Sequence, residues 1–150
     1  MALKVTNKGE ANLETVKEQH KRIGRRSKAK GSNFEREVAK KFQSAYGEEL
    51  VRTPQSGGFA KKSAKAEEFR GDIVALDENV DLILHIECKN AKTWSLPAWF
   101  AQAESDAPKG KVPCVIFHKH GTSSNYIALS LEDFFKLVPK DRIIIKKVQK

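Results

Sequence analysis

Two acidic residues and a lysine near the middle of the sequence have the types and spacing expected of a metal-dependent hydrolytic site. Asp72 opens an apolar run, and Glu87 and Lys89 bracket Cys88 at the end of the next one. Because side chains alternate along a strand, Glu87 and Lys89 share one face. Two converging carboxylates suit a hard divalent cation, and a lysine beside them can orient or deprotonate an attacking water. Such a set is suited to hydrolysing a phosphodiester bond.

An ordinary interpretation of the same three residues is an edge hairpin with solvated charges. In that case Glu87 and Lys89 would form only a same-face ion pair, and the spacing alone favours this interpretation. Their placement favours the active-site interpretation instead, because Glu87 and Lys89 come directly at the end of the largely apolar strand predicted at Asp81–Lys89.

The elements that must position these residues are two strands. Asp72–Leu76 and Asp81–Lys89 are β-type runs separated by the short acidic turn Asp77–Asn79, which predicts an antiparallel hairpin. Such a hairpin would bring Asp72 beside Glu87 and Lys89.

The rest of the chain alternates between helical and strand patterns. We predict a helix from Ser32 to Gly47, a strand at Glu49–Arg52, a helix at Ala98–Ala107, strands at Pro113–His118 and Tyr126–Leu129, and a helix at Leu131–Leu137. This order predicts an α/β fold in which helices flank a mixed central β-sheet.

A net charge of +9 favours a polyanionic partner, either nucleic acid or an acidic membrane surface. Residues 21–30 hold six basic side chains and no acid. We expect residues 1–30 to form a basic N-terminal arm and residues 31–150 to form the folded domain.

The sequence favours a protein of the cytoplasm that does not insert into a membrane. No apolar run approaches the roughly 20 residues that a membrane span requires. Cys88 and Cys114, the two cysteines, lack metal-type spacing and are expected to be reduced thiols.

Four motifs in one order resemble those of the PD-(D/E)xK nucleases, in particular archaeal-type Holliday junction resolvases, with a phage origin as one possibility. Together they cover roughly residues 30–118. The motifs are Lys30–Arg36 (KGSNFER), Arg52–Gly58 (RTPQSGG), Gly71–Leu76 (GDIVAL) and His85–Lys89 (HIECK). One departure is Gly71, which stands where the family motif has a proline.

The resemblance implies a restriction-endonuclease-like fold and a homodimer that cleaves four-way DNA junctions with Mg²⁺, for which Mn²⁺ would substitute. It implies Glu35, Asp72 and Glu87 as metal-associated acids, the Cys88 carbonyl as a further ligand, and Lys89 as the catalytic lysine. Ser56 would serve catalysis or phosphate contact. The basic residues expected to contact DNA are Arg25, Arg26, Lys30, Arg36, Arg52, Lys61 and Lys62.

Several residues keep two interpretations. Glu35 also completes a capping box with Ser32, and Gln102 is either a water-positioning residue or an exposed one. Trp94, Trp99 and Phe100 could stack on unpaired bases, although packing in the core or between subunits is the favoured interpretation. His118 and His120 are interpreted as polar residues at a strand end.

Two other functions stay open at this point. One is a different PD-(D/E)xK nuclease, restriction-like or phage recombination-type, acting on duplex ends. The other is a DNA-binding protein that keeps the fold without activity. The intact set of Asp72, Glu87 and Lys89 argues against the second.

Overall fold

The computed structural model describes residues 8–53, 71–77 and 79–143. The elements are α1 (Lys8–Tyr46), β1 (Leu50–Arg52), β2 (Ile73–Ala75), β3 (Leu84–Lys89), α2 (Leu96–Asp106), β4 (Val112–His118), β5 (Asn125–Ala128), α3 (Leu131–Leu137) and α4 (Lys140–Ile143). The predicted order and the α/β class are confirmed, with the short helix α4 in addition.

The described strands form two sheets. β1 pairs with β2 in an antiparallel ladder that sets Val51 opposite Val74. In the other sheet β4 is central, parallel to β3 and antiparallel to β5. This second sheet is mixed, as predicted.

The predicted antiparallel hairpin between Asp72–Leu76 and Asp81–Lys89 is wrong, because β2 pairs with β1 and β3 pairs with β4. The side-chain oxygen Oδ1 of Asp77 does accept hydrogen bonds from Asn79 in the predicted turn. However, β3, α2 and β4 form a strand–helix–strand unit, and its helix makes the crossover that a parallel pair requires. β3 therefore pairs with β4, and not with β2 as the hairpin interpretation predicted.

Helix α1 begins far before the predicted start at Ser32 and is continuous from Lys8 to Tyr46. Gly24 and Gly31 lie within it, since a glycine lowers helix stability by only about 1 kcal/mol and does not break a helix as proline does. The predicted end is confirmed: Gly47 has a φ of 78°, and its N–H bonds to the carbonyl of Gln43 at 2.9 Å.

The mixed sheet has apolar residues packed on both of its faces. On one face Ile86, Cys114 and Ile116 pack against Phe34 and Val38 of α1. The opposite face carries Val115 and Phe117, which pack with Ala103 of α2. The two faces of β3 therefore meet different helices.

Only the C-terminal part of α1 belongs to the core. Every residue from Thr15 to Lys30 is exposed, whereas Phe34 and Val38 are buried. Lys30 Nζ donates to His120 Nε2 at 3.0 Å, which ties the helix to the loop after β4. Among the helices in the described part of the chain, none has both the length and the apolar character that crossing a membrane requires.

Candidate active site

Asp72 joins the two sheets. Its N–H donates to the carbonyl of Ile86 at 2.7 Å, and its carbonyl accepts from the N–H of Thr53 at 2.9 Å. Its side-chain Oδ2 accepts from the N–H of Cys88 at 2.7 Å. These bonds bring Asp72 to β3 beside Glu87, although the two strands form no hairpin.

Gly71 and Thr53 fix the backbone in front of Asp72. Thr53 is buried, and its hydroxyl donates to the carbonyl of Gly71 at 2.8 Å. Gly71 has a φ of +95°, and a Cβ there would lie 3.2 Å from both His85 Nδ1 and the Ile86 carbonyl oxygen. Proline is locked near a φ of −65°, so it cannot take this position. This accounts for the departure from the family motif.

Glu87 and Lys89 share one face of β3, as alternation predicts. Lys89 Nζ donates to Glu87 Oε2 and to Gln102 Oε1, each at 2.9 Å. Gln102 comes from α2, so two elements hold the ammonium group. Only 9% of Asp72 and 8% of Glu87 is exposed. The interpretation as a solvated edge hairpin is therefore wrong.

Glu35 lies in α1 and forms an ion pair with Arg52 of β1. The capping box with Ser32 is not formed, because Ser32 lies inside the helix rather than at its start. Arg36 donates to Asn33 Oδ1 at 3.0 Å on the same helix. The structure therefore places Glu35 at a tertiary contact and Arg36 at a local one.

Burial and a nearby like charge perturb the pKa of Asp72. The pKa of Asp72 is raised to about 7, first by burial and then by the nearby charge of Glu87. The N–H of Cys88 partly offsets this rise. The pKa of the Cys88 thiol is itself raised, mainly by burial, and that of Cys114 is raised to about 12 for the same reason. Both thiols are free and protonated, as expected from the sequence.

The donor chemistry of this cluster fits a hard cation such as Mg²⁺. Within residues 8–53, 71–77 and 79–143, no group of three His, Cys, Asp or Glu side chains is arranged to hold an ion. Mg²⁺ is commonly bound through one or two carboxylates, with water and substrate phosphate as the other ligands. Asp72 and Glu87 provide two such carboxylates, and a cation would offset the repulsion between them, which adds to the effect of burial on the pKa of Asp72.

Some predicted site residues stand apart from this cluster. Ser56, Lys61 and Lys62 lie outside the described residues, as do positions 54–58 of the glycine-containing loop. Arg25 and Arg26 are exposed on α1.

The aromatic and histidine residues singled out in the sequence lie in different environments. Trp99 and Phe100 pack in the cluster on the α2 side, whereas Trp94 is 42% exposed. His118 ends β4, and its Nδ1 lies 2.9 Å from Asn125 Oδ1. The packing roles of Trp99 and Phe100 agree with the interpretation favoured from the sequence.

Sequence reasoning missed the part that Thr53 and Gly71 play in fixing the backbone before Asp72. The available signal was the glycine itself, which stands directly before the acid that opens a strand. A positive φ there is a common reason for glycine.

Comparison with known proteins gives one match. No curated protein matches the chain, and neither does any solved structure. The model of the family described as "Phage putative PDDEXK endonuclease" matches residues 26–150 and thus includes Glu35, Asp72, Glu87 and Lys89. The chain belongs to this phage PD-(D/E)xK endonuclease family.

Proposed function

We propose that this endonuclease requires Mg²⁺ and hydrolyses DNA at a centre made of Asp72, Glu87 and Lys89. One observation carries the proposal: two buried carboxylates and a lysine meet where β2 and β3 are joined, with Lys89 Nζ 2.9 Å from Glu87. Family membership indicates a nuclease. This cluster is where we propose that the reaction takes place.

Asp72, Glu87 and the Cys88 carbonyl would hold the Mg²⁺ ion, with Mn²⁺ as a substitute. The bound ion would provide Lewis-acid stabilisation of phosphate charge and a more acidic water. Glu35 adds negative charge to the centre, since it contributes to the raised pKa of Asp72. We assign Glu35 to this electrostatic role and to holding Arg52, rather than to direct coordination.

Lys89 is the cationic clamp of this proposal. Glu87 and Gln102 accept two hydrogen bonds from its ammonium group. They hold it in place, which limits the loss of side-chain entropy when substrate arrives. Lys89 then orients the attacking water and balances charge on the phosphate, while Gln102 acts as a positioning residue.

The exposed part of α1 is the proposed contact with the DNA backbone. Thr15–Lys30 spans about 24 Å at 1.5 Å per residue. It has one acid, Glu18, and seven basic residues, which are Lys17, Lys21, Arg22, Arg25, Arg26, Lys28 and Lys30. Like charges at helical spacing destabilise an isolated helix, so a polyanion would stabilise this segment. Ser56, Arg36, Arg52, Lys61 and Lys62 remain proposed phosphate contacts.

The finer substrate we propose is a four-way junction, cut by a homodimer. The four ordered motifs shared with junction resolvases support it, and two symmetric cuts require two sites, as a C2 dimer provides. The family description names no junction substrate, so cleavage of other DNA is the competing function. The site of action we propose is the cytoplasm of the infected cell.

The test is Asp72→Asn assayed with Mg²⁺ on a four-way junction and on a linear duplex of the same sequence. We expect junction binding to persist while cleavage disappears. Asp81→Asn is the matched control, because it removes the same charge at a side chain that is 87% exposed. Normal cutting by Asp72→Asn would reject the centre. Equal cutting of both substrates by the unmodified protein would reject the junction specificity alone.

A further inference from the structure

A cluster of aromatic rings lies on the side of the mixed sheet that carries Lys89. Trp94 meets Phe117 edge-on, with ring centroids 5.0 Å apart, and Phe117 stacks on Tyr126 at 5.6 Å and 22°. Phe117 is 5% exposed, whereas Trp94 and Tyr126 are each 42% exposed. We call Trp94, Phe117 and Tyr126 the aromatic patch.

The aromatic patch is in register with the catalytic lysine. Lys89 of β3 lies opposite Phe117 of β4, and Phe117 lies opposite Tyr126 of β5. Residues paired in this way share one face of a sheet, and adjacent strands are about 4.8 Å apart. Tyr126 is therefore about 10 Å from Lys89 along this row, which is about three nucleotides of a stacked strand at 3.4 Å per nucleotide.

Packing alone explains Trp99 but leaves the open surfaces of Trp94 and Tyr126 without a role. Trp99 approaches Phe117 from α2 at 6.2 Å and belongs to the buried cluster on that side. Trp94 lies in the loop between β3 and α2, two residues after the exposed Lys92. Phe117 thus has one tryptophan packed from α2 and a second that keeps two-fifths of its surface open.

We propose that the aromatic patch binds an unstacked nucleobase of the DNA strand being cut. This inference rests on the active centre proposed above. An exposed aromatic ring stacks on any base, because every base has a π-face. Lys92 supplies positive charge for the neighbouring phosphate. Removing a base from its stack costs least where it is already unpaired, so the patch selects bulged or branched DNA over a perfect duplex.

Tryptophan fluorescence tests whether a base reaches the patch. The chain has two tryptophans, so Trp99→Phe leaves Trp94 as the only one. The probes are a paired duplex, the same duplex with a short bulge, and a four-way junction, each bound with Ca²⁺ in place of Mg²⁺. We expect bulged and four-way DNA to quench Trp94 at a bound fraction where the duplex does not. Absent quenching, or equal quenching by the duplex, would overturn the proposal.

Cleavage rates separate this inference from the proposed active centre. We expect Trp94→Ala and Tyr126→Ala each to lower kcat/KM on bulged DNA about 10-fold, and to lower it less on the duplex. Tyr126→Phe should recover most of the loss because it keeps the ring. Ile127→Ala, at the neighbouring exposed side chain, is the control and should cut normally. Melting curves check that each variant is folded.

The remaining outcomes are equally decisive. If Lys89→Ala abolishes cleavage while Trp94→Ala cuts bulged DNA normally, the patch has no role and the active centre stands. Cleavage that survives Lys89→Ala would instead reject the active centre itself. If Trp94→Ala dissociates a dimer in sedimentation experiments, the patch is a subunit contact and the nucleobase proposal is wrong.

Discussion

The two faces of strand β3 differ: one packs in the apolar core, and the other carries residues of the proposed active centre. Toward α1 it presents Ile86 and Cys88, which join the larger apolar cluster. Toward α2 the strand presents Glu87 and Lys89, which form an ion pair with each other. Lys89 also donates a hydrogen bond to Gln102 of α2. Alternation along six residues therefore separates the two tasks without any change of backbone.

The two faces of β3 make opposite contributions to the free energy of folding. Burying Ile86 stabilises the fold, because apolar surface leaves water. Burying Glu87 and Asp72 costs free energy, and only part of it is recovered from hydrogen bonds and from the nearby lysine. The chemical face is thus held in place by the apolar one, and the predictions below test this division.

The largest expected effect is on the chemical face. Lys89→Ala should lower the cleavage rate about 10²- to 10⁴-fold, because it removes the cation that we propose orients the attacking water and balances the phosphate charge. Single-turnover cleavage measures this. Lys136→Ala is the matched control, since this lysine is 70% exposed on α3. A smaller loss than about ten-fold would contradict the role of Lys89.

On the apolar face we expect a loss of stability. Ile86 is fully buried, and Ile86→Ala should lower the free energy of unfolding by about 2–5 kcal/mol through lost transfer energy and a cavity. Denaturant unfolding measures this. Ile127→Ala, at a position that is 54% exposed, should cost much less. Equal losses of unfolding free energy in Ile86→Ala and Ile127→Ala would contradict the assignment of Ile86 to the core.

The backbone before Asp72 should resist a methyl group. Gly71→Ala combines a positive φ with two contacts at 3.2 Å, one of them to the Ile86 carbonyl. We expect it to lower the free energy of unfolding by about 1–3 kcal/mol and to slow cleavage by displacing Asp72. Gly47→Ala separates the two causes, because Gly47 has a φ of +78° and nothing within 4 Å of a Cβ. An equal loss of unfolding free energy in Gly71→Ala and Gly47→Ala would mean that the positive φ alone causes the loss and that the two contacts at Gly71 add nothing.

The smallest effect concerns pH. The pKa of Asp72 rises from 3.8 to about 7 on folding, so the folded state binds more protons than the unfolded state between these values. Stability therefore falls as pH rises through this window, and the penalty is complete above pH 7. Without metal, Asp72→Asn should be about 1–2 kcal/mol more stable than the unmodified protein at pH 8.

The difference in stability between Asp72→Asn and the unmodified protein should narrow toward pH 4, where the unmodified Asp72 is neutral in the folded protein. Thermal melts in a chelator across this range measure the difference, with Asp81→Asn as the control. A variant that is less stable than the unmodified protein at pH 8 would mean that Asp72 is held favourably as a carboxylate. Added Mg²⁺ should stabilise the unmodified protein and not Asp72→Asn.

The sequence predicted the local elements well because they depend on local patterns. Helix α2 with Pro97 in its first turn, strand β4 and helix α3 follow directly from proline placement and apolar runs. The convergence of Asp72 with Glu87 was also expected, although through the wrong pairing. The choice of β1 rather than β3 as the partner of β2 depends on contacts between distant segments, which periodicity does not encode.

Other errors have their own physical causes. The start of α1 was misplaced because the polar, basic stretch before Ser32 resembles an arm, yet it contains no proline to stop a helix. The partner of Glu35 was missed because an ion pair across 17 residues has no local signal. The roles of Ser56, Lys61 and Lys62 stay predictions.

The central claim is that Asp72 and Glu87 bind the divalent ion, and polypeptide cleavage by bound Fe²⁺ tests it most directly. Fe²⁺ in place of Mg²⁺, with ascorbate and peroxide, produces radicals that cut the chain next to the ion. We predict cuts close to residues 72 and 87–89, suppressed by excess Mg²⁺ and absent in Asp72→Asn. Cuts confined to another region, such as His118 to His120, or cuts that persist in Asp72→Asn, would contradict the account.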